Sequence, residues 1–319
     1  MNNKIAIVAG EPFSINSEII AKSWKKIKKI YKKNIFIIGN YSLIKKQFSK
    51  LKIRISITKI SSINEVRSST SLKILDVPLK FNNRLDINKK ENSKYIFQSI
   101  NKAHELAINK KIIGFINCPI DKNVFRSKNF GVTEYLAKKN NLKQSEAMMI
   151  YNKFLSVVPV STHIPIKNIS KTLSIKLIEK KIITVNNFYR RSLRKKPKIA
   201  VLGLNPHNDE FRPRSEENKI IIPAIKKLKK NKYKVVGPLP ADTVFLNKKK
   251  IRYDIIIGMY HDQVLAPYKA IYGFDAINIT LGLKYLRISP DHGIARDIVG
   301  LNKANPLSLI RAIQFIFKI

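Results

Sequence analysis

The stretch Tyr253-Asp254-Ile255-Ile256-Ile257-Gly258-Met259-Tyr260-His261-Asp262-Gln263 reads as a buried strand that ends in a polar exit. A short apolar run with polar flanks suits a strand covered on both faces, as in a parallel sheet. Two other segments share the form. Phe154 to Val160 leads into Ser161-Thr162-His163, and Lys198 to Gly203 leads into Asn205-Pro206-His207-Asn208. Ligand sites in α/β sheets form at the carboxyl ends of the strands. Each run delivers one histidine to such an end. Three imidazoles from distant stretches suit a divalent metal with an open coordination position, and so metal-assisted chemistry rather than a fully ligated structural ion. Three unrelated loop histidines are the alternative, and the shared strand-exit context favours the metal.

Outward from these runs, strands and helices alternate. Ile5 to Ala9 predicts a first strand, followed by a helix over Ser17 to Lys33, a strand over Asn34 to Gly39, a helix over Tyr41 to Ser49 and a strand over Lys52 to Ile57. A long amphipathic helix is expected over Glu91 to Lys110, with His104 as a structural residue inside it, and a strand over Lys111 to Asn117. Further helices are expected over Thr133 to Asn140, Ser145 to Asn152, Ile169 to Lys180 and Glu216 to Lys230, and further strands over Tyr233 to Val236 and Ala276 to Leu283. The polar, proline-bearing segment Asp76 to Asn88 reads as a loop or short edge hairpin. The alternation implies a mainly parallel sheet flanked by helices.

With 319 residues, 44% of them hydrophobic, the chain has material for one large α/β unit or two ordinary domains. No apolar stretch approaches the ~20 residues of a membrane helix. The N-terminus lacks a signal-peptide layout, and the single cysteine, Cys118, fits a reducing compartment. A cytoplasmic location is therefore expected, with no membrane partner. The net charge of +41 raises nucleic-acid binding as a reading. The lysines, however, punctuate amphipathic helices throughout, as in Lys22 to Lys33 and Lys226 to Lys232, and form no single block. Solvated helix faces are the favoured reading and no nucleic-acid partner is expected. The field would still draw in anionic metabolites.

Several other segments carry chemistry. Gly237-Pro238-Leu239-Pro240-Ala241-Asp242-Thr243 is a rigid loop presenting one carboxylate, either a base or substrate contact or simply a cap for a following helix. Lys269, Asn278 and Arg287 lie among apolar and glycine residues, the last two in or just after the strand Ala276 to Leu283. Lysine, amide and guanidinium groups suit a carboxylate or phosphate, although polar residues on a strand's solvent side would look the same. The run Ser289 to Gly300, then Asn305-Pro306, is a glycine-bearing loop leading into a short helix. It is a plausible nucleotide cradle or a plain turn. The chain has no G-x-G-x-x-G fingerprint, which argues against a conventional Rossmann site. Asn117 to Lys122 and Gly131 to Leu136 could each hold an anion on backbone N–H groups. Cys118, with an apolar strand before it and no histidine beside it, reads as a structural thiol.

Taken together, these segments resemble the 4-hydroxythreonine-4-phosphate dehydrogenase family, NAD-dependent enzymes of pyridoxal phosphate biosynthesis. The resemblance spans nearly the full length. Its strongest pieces are Gly203-Leu204-Asn205-Pro206-His207, Gly237 to Thr243, Met259-Tyr260-His261-Asp262-Gln263 and Asn278-Ile279-Thr280-Leu281-Gly282-Leu283. Asp291 to Pro306 also looks like the adenosine-contacting loop of the isocitrate and isopropylmalate dehydrogenase superfamily. The resemblance implies a two-domain α/β fold of that superfamily, with an active-site cleft between the domains. Residues 1–133 plus 290–319 would form one domain and residues 134–289 the other, which carries the dimer interface. It implies a homodimer whose metal site (His163, His207, His261) is shared across the interface, holding zinc, magnesium or cobalt. It implies substrate contacts at Thr133, Lys269, Asn278 and Arg287, and contacts to NAD or NADP at His292, Gly293, Ala295, Asp297 and Asn305.

The implied reaction oxidises 4-phosphooxy-L-threonine to 2-amino-3-oxo-4-phosphooxybutanoate, which decarboxylates to 3-amino-2-oxopropyl phosphate. Asp242 or Lys269 would be the base. The chain departs from the family pattern at Val132, which replaces a substrate-contacting histidine, at Gly10 to Asn16, where glycines are usual, and at Asp209, where glycine follows the histidine motif. Val132 keeps open a sister activity on a threonate or erythronate phosphate. A non-catalytic basic nucleic-acid-binding protein is the remaining alternative.

Overall fold

The computed structural model describes residues 3–67, 70–82, 87–121, 123–125, 131–142, 144–246 and 252–319. Lys122 and part of the expected loop from Asp76 to Asn88 fall outside them. In chain order the first elements are β1 (Ile5–Val8), α1 (Asn16–Lys26), α2 (Lys29–Lys32), β2 (Ile35–Gly39), α3 (Tyr41–Lys50), β3 (Ile57–Ile60), β4 (Leu72–Asp76), α4 (Lys89–Ile108), β5 (Gly114–Asn117) and α5 (Val132–Lys139). There follow β6 (Ala147–Tyr151), β7 (Ser156–Pro159), α6 (Ile169–Thr172), α7 (Ile175–Ser192), β8 (Ile199–Leu202), α8 (Ile222–Lys230), β9 (Val235–Leu239) and β10 (Ile255–Gly258). The last are α9 (His261–Tyr272), β11 (Ile277–Leu281), β12 (Leu286–Pro290) and α10 (Leu307–Ile316).

The chain divides into two compact units, Met1–Leu136 with Lys284–Ile319, and Ala137–Leu283. In the first, strands run in the order β3-β4-β2-β1-β5-β12 and every pairing is parallel. Its central strands, β1, β2 and β5, are buried along their whole length. That is what helices on both faces of a parallel sheet require. In the second, the order is β11-β6-β7-β10-β8-β9. The pairs β7–β10, β10–β8 and β8–β9 are parallel, and β6 is antiparallel to both β7 and β11. Among the described residues no helix is long and apolar enough to cross a membrane.

Several expectations need correction. Ser145 to Asn152 forms strand β6, not a helix. Ala147, Met148, Met149 and Ile150 are all buried between two strand neighbours, and that burial overrides the helical propensity of Ala and Met. The strand expected over Lys52 to Ile57 starts where that window ends, at Ile57, and β4 was not anticipated. Both pair along one edge, where β3 keeps only Ile60 buried and gives a weak apolar signal. The helix expected over Ile169 to Lys180 breaks at Leu173-Ser174. Ser174 caps α7 by accepting from the Leu177 N–H. The first helix likewise stops at Lys26, where Ile27 turns extended. The helix expected from Glu216 opens with a π-turn over Glu217–Ile221. Pro223, which has no N–H to give an α-helical bond, lies just beyond it. Arg287 belongs to a separate strand, β12, paired with β5, because Gly282 (φ +92°) ends β11.

Candidate active site

In the second unit, the exits of β7 and β10 are stitched together. The Val160 N–H donates to Gly258 O at 2.8 Å and Ser161 Oγ donates to Met259 O at 2.7 Å. The outcome is that the His163 and His261 rings stand 5.9 Å apart, tilted by 40°. Two imidazoles sharing one ion, with N–metal distances of about 2.0–2.1 Å, place their ring centres roughly 5–6 Å apart. The pair therefore fits a metal. His261 opens α9, and its Nδ1 lies 2.6 Å from Asp262 Oδ1. A carboxylate on that nitrogen fixes the ring and leaves Nε2 for an ion.

His207 is exposed at the exit of β8, inside a run of left-handed backbone. The φ values are 51° at His207, 59° at Asn208, 48° at Asp209, 42° at Glu210 and 57° at Phe211. A non-glycine residue in that region costs up to about 1–2 kcal/mol, least for Asn and Asp, whose short polar side chains tolerate it. Among the described residues, no three His, Cys, Asp or Glu side chains of a single chain converge to hold a metal ion.

Asp242 is exposed in the turns that follow β9, so within residues 241–245 it caps no helix. Lys269 lies on the exposed side of α9, eight residues beyond His261 and so about 12 Å along the helix axis. Asn278 is half-buried on β11, and its Oδ1 is shielded from solvent without a hydrogen-bond partner among the described residues. A buried acceptor of that kind is costly unless a ligand group satisfies it.

In the first unit, Arg287 is 3% exposed on β12. Its Nε donates to Asn117 Oδ1 at 2.5 Å and its NH1 to Thr133 Oγ1 at 3.2 Å. Burial pushes the guanidinium down to about 10, while the Glu134 carboxylate favours the charged form. Thr133 and Arg287 thus come together at the first turn of α5, where N–H groups and a cation suit an anion. Val132 is the residue beside them. The Asn117 side chain orients Arg287, whereas the sequence pointed only to the backbone there as an anion holder.

The segment Asp291 to Pro306 follows β12 and is tied at both ends. The Ile15 N–H donates to Ile294 O at 3.2 Å, and the Asp291 N–H to Ser308 Oγ at 2.8 Å. Buried Glu18 accepts from the Ala304 N–H at 2.7 Å, and Lys22 Nζ donates to Asn302 O and Ala304 O at 2.8 and 3.0 Å. Arg296 pairs with Asp121 at 2.6 Å. Ala295 is left-handed (φ 45°), and His292 Nδ1 sits 3.0 Å from Gly293 O. Gly293, Asp297 and Asn305 remain exposed. An anchored backbone with outward carboxylate and amide groups fits a ribose and base. The Gly10 to Asn16 motif packs on the β5 exit, where Asn16 Nδ2 donates to Pro119 O at 2.8 Å. Cys118 is fully buried there and burial raises its thiol far above the usual range, in accord with a structural role.

Two further residues had no role in the sequence reading, Gln263 and Glu217. Both anchor the β8 exit. Gln263 stands in the motif Met259 to Gln263, which was its signal in the sequence, whereas the burial of Glu217 shows only in the folded chain.

Residues 31–316 match the family model described as pyridoxal phosphate biosynthetic protein PdxA. A 4-hydroxythreonine-4-phosphate dehydrogenase of Sulfurihydrogenibium is 36% identical, covering 98% of this chain and 96% of its own. A D-threonate 4-phosphate dehydrogenase of Salmonella typhimurium is 32% identical over 97% of each. The crystal structure of 4-hydroxythreonine-4-phosphate dehydrogenase from Klebsiella pneumoniae superposes with a TM-score of 0.85 at 29% identity, covering 100% of this chain and 98% of that one. At 13% identity and a TM-score of 0.51, isocitrate dehydrogenase from Methylococcus capsulatus shares the fold. With the family model matching most of its length and these relatives aligned end to end, the chain belongs to the PdxA family of pyridoxal phosphate biosynthetic proteins.

Proposed function

We propose that this protein oxidises the secondary alcohol of 4-hydroxy-L-threonine 4-phosphate with NAD or NADP, and that the product loses CO₂ to give 3-amino-2-oxopropyl phosphate. The observation that carries the proposal is the His163–His261 pair with Asp262 on the far nitrogen of His261. His163, His207 and His261, drawn from both copies of a homodimer, would hold a zinc, cobalt or magnesium ion, which supplies Lewis-acid polarisation at the reacting oxygen. The nicotinamide cofactor supplies the hydride acceptor, and His292, Gly293, Ala295, Asp297 and Asn305 bind and orient it.

The remaining work belongs to side chains of the chain. Arg287 and Thr133 grip an anionic group of the substrate, with Arg287 aimed by Asn117. Asn278 Oδ1 accepts from a substrate N–H or O–H. Lys269 adds a cation on the α9 side. Asp242 or Lys269 takes the hydroxyl proton, and the two are separable. Loss of the base lowers kcat by about 10²- to 10⁴-fold, whereas loss of a binding contact raises KM. Asp242→Asn and Lys269→Met, measured side by side, assign the role.

The deciding experiment measures zinc content and NADH formation for wild type and His261→Ala. The variant should lose bound metal and turnover together. Unchanged metal content with full turnover would end the metal reading. A second substrate, D-threonate 4-phosphate, is favoured by one residue: Val132 offers no polar contact beside Thr133. Comparing kcat/KM for the two substrates decides between them.

A further inference from the structure

β8 and β10 are parallel neighbours whose ladder ends at Val201 and Ile257. Beyond it their chains carry His207 and His261. One side chain joins the two exits past the last rung. Gln263, on the first turn of α9, donates from Nε2 to Gly203 O at 2.7 Å and accepts the Met259 N–H on Oε1 at 2.7 Å. Its seat has no slack, because a Cβ on Gly258 would lie 3.0 Å from Gln263 Oε1 and 2.5 Å from Val264.

From the other side the β8 exit is held by Glu217, which is wholly buried. Its Oε1 accepts from the Leu204 and Asn205 N–H groups at 2.8 and 2.9 Å, and its Oε2 from Asn205 Nδ2 at 3.0 Å. Gly203 is equally confined, since a Cβ there would fall 2.1 Å from Asn208 Oδ1. From this anchored turn the chain enters the left-handed run that begins at His207.

We propose that Gln263, backed by Glu217, is a positioning residue for metal capture. It locks the β8 and β10 exits in one register, so that each copy of the chain presents His207 and the His163–His261 pair at a fixed spacing. The proposal rests on the metal-assisted reading above. The chemistry asks for an amide. The gap lies between a carbonyl and an N–H, so the bridging group must donate at one end and accept at the other. A carboxylate supplies only acceptors and a leucine neither. Both ends of Gln263 are already used and Glu217 is buried, so the two act through the histidines.

The test uses the full-length protein titrated with cobalt(II), read by calorimetry and by the visible absorption of the cobalt-loaded form. Gln263→Glu keeps the acceptor for the Met259 N–H and loses the donor to Gly203 O. It should bind cobalt about 10- to 100-fold more weakly, with shifted visible bands, at a temperature where circular dichroism shows the metal-free variant fully folded. Gln263→Leu carries the same test if a carboxylate beside Gly203 O prevents folding. His261→Ala is measured alongside. If His261→Ala binds weakly but Gln263→Glu or Gln263→Leu matches wild type in affinity and spectrum, the positioning role is overturned and the metal reading survives. If wild type and His261→Ala bind alike, the metal reading falls and takes this role with it.

Discussion

Arg287 shows how much one residue can hold. Its guanidinium is desolvated and donates to Asn117 Oδ1 and Thr133 Oγ1, while the Glu134 carboxylate favours its charge. A buried cation gains from the charge-assisted hydrogen bonds of an arriving anion. Arg287→Ala should therefore raise KM for the phosphorylated substrate at least tenfold, on the order of the 1.5–3 kcal/mol of a charged hydrogen bond. An unchanged KM would remove it from the substrate site. The sign of the pH effect follows from the depressed value. The cation persists below about 10 and is lost as pH rises through it, so KM should climb near pH 10 in wild type and climb less steeply in Arg287→Ala, where this contribution is missing. Val132 makes the opposite experiment possible. Val132→His restores a polar group beside Thr133 and should lower KM for 4-hydroxythreonine 4-phosphate relative to D-threonate 4-phosphate; an equal effect on both would show that this position does not select.

At the scale of elements, the histidine-bearing exits were legible because each follows a fully buried run, Ser156–Pro159, Ile199–Leu202 and Ile255–Gly258. What stayed hidden has one physical cause. Strand β6, held between β7 and β11, edge strand β3 and its inner neighbour β4 owe their form to the strands they pair with, which local propensity does not register. The tilt of the β8 exit is another such case. Five consecutive left-handed L-residues from His207 to Phe211 leave no mark in composition, although Asp209 at a position that favours glycine was a clue. Asp209→Gly should recover up to about 1 kcal/mol of stability. The exposed pairing with Arg212 at 3.3 Å that it gives up is worth little. Urea midpoints compare the two, and a lower midpoint for the variant would mean that the turn is not strained at that residue.

At the scale of the whole molecule, the α/β architecture and its parallel bias could be read from the alternation of runs. The placement of side chains between runs could not. Thr133, Asn117 and Arg287 meet only because β12 pairs with β5 and α5 starts beside them. The proposed sharing of a metal site between two copies is open to a mixing test. His163→Ala and His207→Ala chains are each expected to be inactive. Denatured and refolded together, they should recover activity, approaching about a quarter of wild type, because half of the random pairs contain one complete set of three histidines. No recovery in the mixture would mean that His163 and His207 of one site do not come from different copies.

The lone cysteine has a practical consequence. Cys118 has no solvent exposure at the end of β5, and a thiol held protonated is a poor nucleophile. Alkylating reagents should reach it only when the first unit breathes. The rate of carbamidomethylation then becomes a clock for that opening, with one reporter and no competing signal. The same clock run with and without NAD would register cofactor binding as slower labelling, in a protein that needs no engineered probe.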